Sequence, residues 1–165
     1  MAFRLEIRLK SELVDADGAG IRRKARGYFG FKVDDVRVIR VLTIDAHLRP
    51  EQFEQIRTEI FTNPVTEESS YSPIAREFDW LIWIGFRPGV RDTAGSTAGE
   101  AVEDLLGIEF KPGEAIYTSK LYEIRGRLDE NRPIRSRATC WPMRLSSSGR
   151  YSRRTTGGPM KGLVC

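Results

Sequence analysis

The side chains able to do chemistry in this 165-residue sequence are few and lie apart. Asp15 and Asp92 are each followed three residues later by a glycine, Gly18 and Gly95. Either carboxylate could serve as a general base. An aspartate just before a helical pattern is far better used as a cap, because its oxygens accept the free N–H groups of the first turn. Pro88, Gly89 and the run Gly95 to Gly99 precede or open a helix, where backbone N–H groups can hold an anion. No Walker lysine follows these glycines, and no GxGxxG opens a helix after a parallel strand, so they are assigned to turns. His47, the single histidine, has no serine or cysteine signature beside it and no assignable orienting partner for a triad. Trp80, Trp83, Phe86 and Tyr117 could stack nucleic-acid bases. At alternating strand spacing they are assigned to a core or an interface. Cys140 and Cys165 fit neither a zinc spacing nor a disulfide framework. No catalytic, cofactor-binding or metal-ligating residue is assigned, and no clustered acid–base or nucleophile set supports an independent enzyme.

The elements that carry these residues come in two similar sets. Asp15, Gly18 and Gly30 recur 77 positions later as Asp92, Gly95 and Gly107, without a gap. Ile21, Ala25, Tyr28 and Phe29 fall on Ala98, Val102, Leu105 and Leu106, and Phe3, Leu5, Ile7 and Leu9 fall on Trp80, Ile82, Ile84 and Phe86. The first set reads as a strand over 3–10 with period-two alternation, its polar side Arg4, Glu6, Arg8 and Lys10. A helix capped by Asp15 or Asp17 follows to about Phe29, stopped at Gly30. A β-branched strand over 35–46 comes next. A helix then starts at Pro50, with proline in its first turn and Phe53, Ile56 and Ile60 as its buried stripe. It ends at Asn63 and Pro64, and a short extended piece runs from about Val65 to Tyr71. In the second set the strand 80–86 is apolar on both sides, which places it at the covered centre of a two-unit assembly. A helix follows, capped at Asp92 or by the box from Thr97 to Glu100, and then a strand over 115–124. Lys120 matches Arg40 and Ile124 matches Ile44 once three loop residues are allowed.

After about Asn131 the pattern stops. Pro133, Ser136 and Cys140 stand where a counterpart of the Phe53, Ile56, Ile60 helix is needed, and an interior proline costs a helix about 3 kcal/mol. Residues 132–165 hold eight basic residues and no acidic one. Removing those eight from the 27 basic residues leaves 19 against 23 acidic, so residues 1–131 are mildly acidic although the whole chain carries +4. The tail is expected to be disordered. No apolar run approaches the ~20 residues of a membrane span. With strand alternation from the start, the expectation is a cytoplasmic protein without a signal peptide.

The run Lys10 to Ile21, with Asp15 and Gly18 at its turn, then Val36-Arg37-Val38-Ile39-Arg40, then Thr62-Asn63-Pro64-Val65, resembles the PurS family, the small subunit of phosphoribosylformylglycinamidine synthase. Arg40 stands where that family has lysine, and Ile39 where it has glycine. Arg87, Asp92, Gly95 and Lys120 resemble the same pattern a second time. The resemblance covers about residues 2–131 and implies an α+β fold of two tandem β-α-β-α-β units, each an antiparallel sheet with helices on one face. The first unit with its connector is 1–78. The second is 79–131, lacking its last helix and strand, and 132–165 is the basic tail. The resemblance further implies a non-catalytic assembly part that holds synthetase and glutaminase parts together and helps ammonia transfer. The complete enzyme, not this chain, uses ATP, Mg and glutamine. Lys10, Arg40, Arg87 and Lys120 are expected to face those partners, and the uncovered sheet of the second unit implies self-association. The abrupt departure near Asn131 points to a truncated or frameshifted reading frame. The rival reading is a nucleic-acid-binding α+β module that uses the basic tail.

Overall fold

The computed structural model describes residues 2–76, 78–87 and 89–127. Pro88, the end of the expected second unit and the basic tail lie outside the described residues. The alternating segment forms β1 (Phe3–Leu9), and the capped segment forms α1 (Ala16–Phe29). β2 (Lys32–Asp45) comes next, then α2 (Pro50–Ile56), which continues as a π-helical turn over Arg57–Phe61. β3 (Glu67–Ser70), β4 (Trp80–Gly85), α3 (Thr93–Leu106) and β5 (Ala115–Arg127) complete the order. Among the described residues no helix is long and apolar enough to cross a membrane.

The strands form one antiparallel sheet in the order β3-β1-β2-β5-β4. Among the described residues β4 therefore lies at an edge and not at the centre. Its apolar character on both sides has another cause. The chain leaves β3 at one edge and must enter β4 at the other, so the connector 71–79 crosses the sheet. Ile74 and Ala75 pack on Ile39, Val41, Leu81, Trp83 and Leu121 there. The polar side of β1 is consequently not a solvated face: Glu6 is 2% exposed.

All three helices pack on the opposite face. α2 and α3 close a core of Leu5, Ile7, Leu42, Ile44 and Ile116 with Phe53, Ile56 and Val102. Ile21 and Ala25 of α1 close a second core on Val33, Val36, Trp80, Tyr122 and Ile124. The two cores lie toward opposite ends of the central pair.

That pair, β2 with β5, is the longest ladder in the sheet. β2 starts at Lys32, ahead of the β-branched run, because Lys32 and Val33 pair with Arg127 and Gly126 across a register irregularity between Val33 and Asp35. Gly126 has φ 132°, and a Cβ there would lie 2.3 Å from the Lys32 carbonyl oxygen, so only glycine fits this bulge. Arg40 and Lys120 are direct partners in mid-strand, not near strand ends. The flanking ladders correspond: Phe3 pairs with Ile44 as Trp80 pairs with Ile124, and Leu5 with Leu42 as Ile82 with Tyr122. A pseudo-twofold axis through the Arg40–Lys120 pair thus carries β1, α1 and β2 onto β4, α3 and β5.

Candidate functional site

Each half is built around one aspartate. Asp15, buried, is the N-cap of α1: Oδ1 accepts the Gly18 N–H at 2.8 Å and Oδ2 accepts the Val38 N–H at 2.7 Å. Asp92 caps α3: Oδ1 accepts the Gly95 N–H at 2.8 Å, and Oδ2 accepts the Thr118 N–H at 2.5 Å. The Thr118 hydroxyl adds a bond at 2.9 Å. Each carboxylate thereby joins a helix start to a strand edge beyond the point where the outer strand has ended. A base must face its substrate, and both aspartates are turned onto backbone donors of their own chain. Thr97 lies inside α3, so the alternative box starting there is not the cap.

The glycines after the caps are set by close approach. A Cβ on Gly18 would sit 2.0 Å from the Val36 carbonyl oxygen, and one on Gly95 would sit 2.3 Å from that of Ile116. Gly30 and Gly107 end the helices in left-handed conformation at φ 64° and 61°. Gly89 has φ 85° in the turn before α3.

The four cations named from the sequence occupy different places. Lys10 donates to the Pro64 carbonyl at 2.7 Å. Arg40 meets Glu67 at 2.7 Å, and Lys120 lies 3.7 Å from Asp17. Arg87 is exposed beyond β4. Arg40 and Lys120 alone are brought together, on the helix face at the pseudo-twofold axis. Trp80 and Trp83 point to opposite sides of β4: Trp80 is buried under α1, while the Arg4 guanidinium lies 4.8 Å from the Trp83 ring centroid. They therefore cannot form one stacking platform.

His47 lies in the loop after β2. Its Nδ1 is 2.6 Å from Glu114 Oε1, and the Glu114 carboxylate also accepts the N–H groups of His47 and Lys111. Those contacts, the Lys111 N–H first and then the His47 ring, hold the Glu114 carboxyl down at about 2. The pair clips two exposed loops together.

Sequence reasoning missed the polar cluster under the connector. Glu6 accepts the Ile74 N–H at 2.9 Å and pairs with Arg4 at 2.9 Å. Glu123, 5% exposed, accepts the Arg76 N–H at 2.8 Å, with Arg8 at 3.7 Å. Burial pushes the Glu123 carboxyl upward, against the opposing pull of the Arg76 N–H and the Arg8 charge. Arg8 also meets Glu68 at 2.6 Å, and Arg37 donates to the Ser11 and Leu13 carbonyls at 2.9 Å. Beside this cluster opens a cleft of about 310 Å³ lined by Arg8, Arg37, Arg76, Arg125, Asp35 and Glu123. The signal was the apolar set Ile39, Val41, Leu81, Trp83 and Leu121 on the same side as Glu6, a side that something had to cover. Among the described residues no group of three or more His, Cys, Asp or Glu residues could hold a metal ion. The arrangement can fasten segments and offer surfaces.

Comparison with known families matches residues 2–74 to the family PurS, described as phosphoribosylformylglycinamidine (FGAM) synthase. The matched segment runs from β1 through β3 into the connector. No curated protein and no solved structure matches this chain.

Proposed function

We propose that this chain, whose residues 2–74 match the PurS family, acts as a non-catalytic assembly part of FGAM synthase in purine biosynthesis. It holds the synthetase and glutaminase parts together and helps ammonia pass between them. The match from β1 to β3 carries this reading. It is supported by the roles of the polar groups described above: both aspartates are consumed as caps, and the buried glutamates hold the connector. The common turn, cap and strand register of β4, α3 and β5 supports reading residues 79–127 as a second PurS-like unit. In this reading ATP, Mg and glutamine are bound by the partners, and the exposed cations Arg40, Lys120 and Arg87 face them, with Lys10 at the edge of that surface.

The test is co-purification. The tagged full chain, co-expressed with the synthetase and glutaminase of the same cell, is expected to retain both in the presence of glutamine and Mg-ADP. Glutamine-dependent formation of the amidine product should rise on adding the chain. Arg40→Glu combined with Lys120→Glu should release the partners while the chain stays folded. Recovery of the chain alone, with product formation indifferent to it, would overturn the proposal.

A further inference from the structure

Arginines from four segments converge on the cleft beside the connector: Arg8 from β1, Arg37 from β2, Arg125 from β5 and Arg76 from the connector itself. Two of them keep donors unspent. A guanidinium has five N–H groups on three nitrogens. Arg8 places Nε on Glu68 at 2.6 Å and turns Nη1 toward Glu123 at 3.7 Å, which leaves Nη2. Arg76 places Nη2 on Glu68 at 3.4 Å, which leaves Nε and Nη1. The Arg8 side chain is only 10% exposed, so this cation is fixed in place before anything binds. The carboxylates lining the cleft are Asp15, Asp35 and Glu123. Asp15 is turned onto the Gly18 and Val38 N–H groups, and Glu123 is held under the connector, pushed toward its neutral form by burial. Asp35, 3.3 Å from Arg125 and 4.0 Å from Arg37, is 32% exposed and can accept further hydrogen bonds.

We propose that this cleft binds a small hydroxylated phosphate monoester of the sugar phosphate class, its phosphate on Arg8 and Arg76 and its hydroxyls on Asp35 and Ser11. Phosphate oxygens accept only, and guanidinium N–H groups are the donors whose charge and fork geometry suit them. Asp35 takes donors in return, which sugar hydroxyls supply. A polycarboxylate has none to give, and it would meet Asp35 as a like charge. No aromatic side chain lines the cleft, so a nucleobase gains no stacking there. At about 310 Å³ the cleft is at the small end of ligand sites, and larger than a bare phosphate fills. A sugar monophosphate meets all of these conditions at once. The inference does not depend on the PurS reading.

Isothermal titration calorimetry of the full chain, without other proteins, tests it with glucose 6-phosphate, glycerol phosphate, inorganic phosphate and glucose. The better of the two esters is expected to bind with a dissociation constant between roughly 10 µM and 1 mM, and inorganic phosphate at least roughly tenfold more weakly. Glucose should give no heat of binding. Arg76→Gln, at a side chain 64% exposed that leaves the cores intact, should weaken the ester at least roughly tenfold. Asp35→Ala should leave inorganic phosphate bound as before or tighter and erase the preference for the ester. Arg23→Gln, at an exposed position of α1 outside the cleft, should change neither ligand. Failure of both esters to bind at roughly 10 mM overturns the inference. So does binding indifferent to Arg76→Gln, or weakened as much by Arg23→Gln, since charge spread over the surface would then be the cause. Inorganic phosphate bound as tightly as the esters would also overturn it. A chain that binds the ester yet retains neither synthetase nor glutaminase would leave this inference standing and sink the proposed function.

Discussion

The half made of β1, α1 and β2 and the half made of β4, α3 and β5 share backbone, caps and register, yet they are packed differently. Leu5 and Ile7 are sealed by α2. Ile82 and Ile84, at equivalent places, lie under α1 without a counterpart of α2 among the described residues. The same strand geometry thus yields a closed core in one half and a half-open one in the other. Burial is decided by the elements laid over a strand, not by the strand. The other side of the sheet breaks the symmetry more deeply. Among the described residues a single connector crosses it, and one segment crossing once cannot obey a twofold axis. Glu6 and Glu123 receive its backbone N–H groups, while their counterparts by the same operation are Trp83 and Thr43.

The largest difference between the halves should appear on truncating their equivalent isoleucines. Ile7→Ala removes a fully enclosed side chain and should cost about 3–4 kcal/mol. Ile84→Ala, at a half-buried site that can relax, should cost about 1–2 kcal/mol. Urea denaturation of each variant measures the gap. Equal costs would mean that the β4 edge is as well covered as β1, and the comparison would fail.

The glycines after the caps should instead behave alike. Gly18→Ala and Gly95→Ala each drive a methyl into a carbonyl oxygen, and each should destabilise by about 2–3 kcal/mol despite the better helix propensity of alanine. Gly20→Ala is the contrast, because nothing lies within 4 Å of a Cβ there. That variant should be neutral or more stable by up to ~1 kcal/mol. Thermal melts of the three variants separate a steric requirement from a general cost of alanine.

The helix side of the fold was legible because its signals are local. Asp15 with Gly30 and Asp92 with Gly107 mark helix ends by cap chemistry, and β1 declares its buried side by alternation. Position in the sheet was not legible. The apolar run at β4 has the composition of a central strand, and only the connector's path explains why an edge strand is covered on both sides. The connector itself, 71–79, has neither period, so nothing local announced that Ile74 and Ala75 would cover the sheet. The pairing of Arg40 with Lys120 is a consequence of register across two halves, a long-range fact that a matched spacing alone does not reveal. The cluster of Glu6, Arg8 and Glu123 was hidden for the same reason: Arg4, Glu6 and Arg8 alternate as an exposed face would.

The caps should show a smaller asymmetry. Asp15→Ala and Asp92→Ala each leave a helix start and a strand N–H without an acceptor, and each should cost about 2 kcal/mol. The second half adds the Thr118 hydroxyl, so Thr118→Val should cost roughly 1 kcal/mol. Val38→Thr in the first half offers Asp15, which accepts one N–H on each oxygen, the same extra donor and should gain up to about 1 kcal/mol. Denaturation midpoints at constant slope decide the matter.

The smallest effects are slopes with pH, and their signs oppose each other. Glu114 is held down to about 2 from its ordinary 4.5, so its stabilisation is complete above about 4.5 and is lost as pH falls toward about 2. Glu123 is raised by burial, so its contribution is present in acid and lost as pH rises through its folded value. Glu114→Gln should therefore flatten the acid limb of a stability profile, and Glu123→Gln should flatten a decline on the higher-pH side of the carboxylate range. The first group is an exposed clip between loops, and the second lies beneath the connector that breaks the twofold symmetry. If Glu123→Gln left the profile of the wild type unchanged, the Arg76 N–H and the Arg8 charge would be offsetting its burial in full. The connector would then be fastened at Glu123 as firmly as at Glu6.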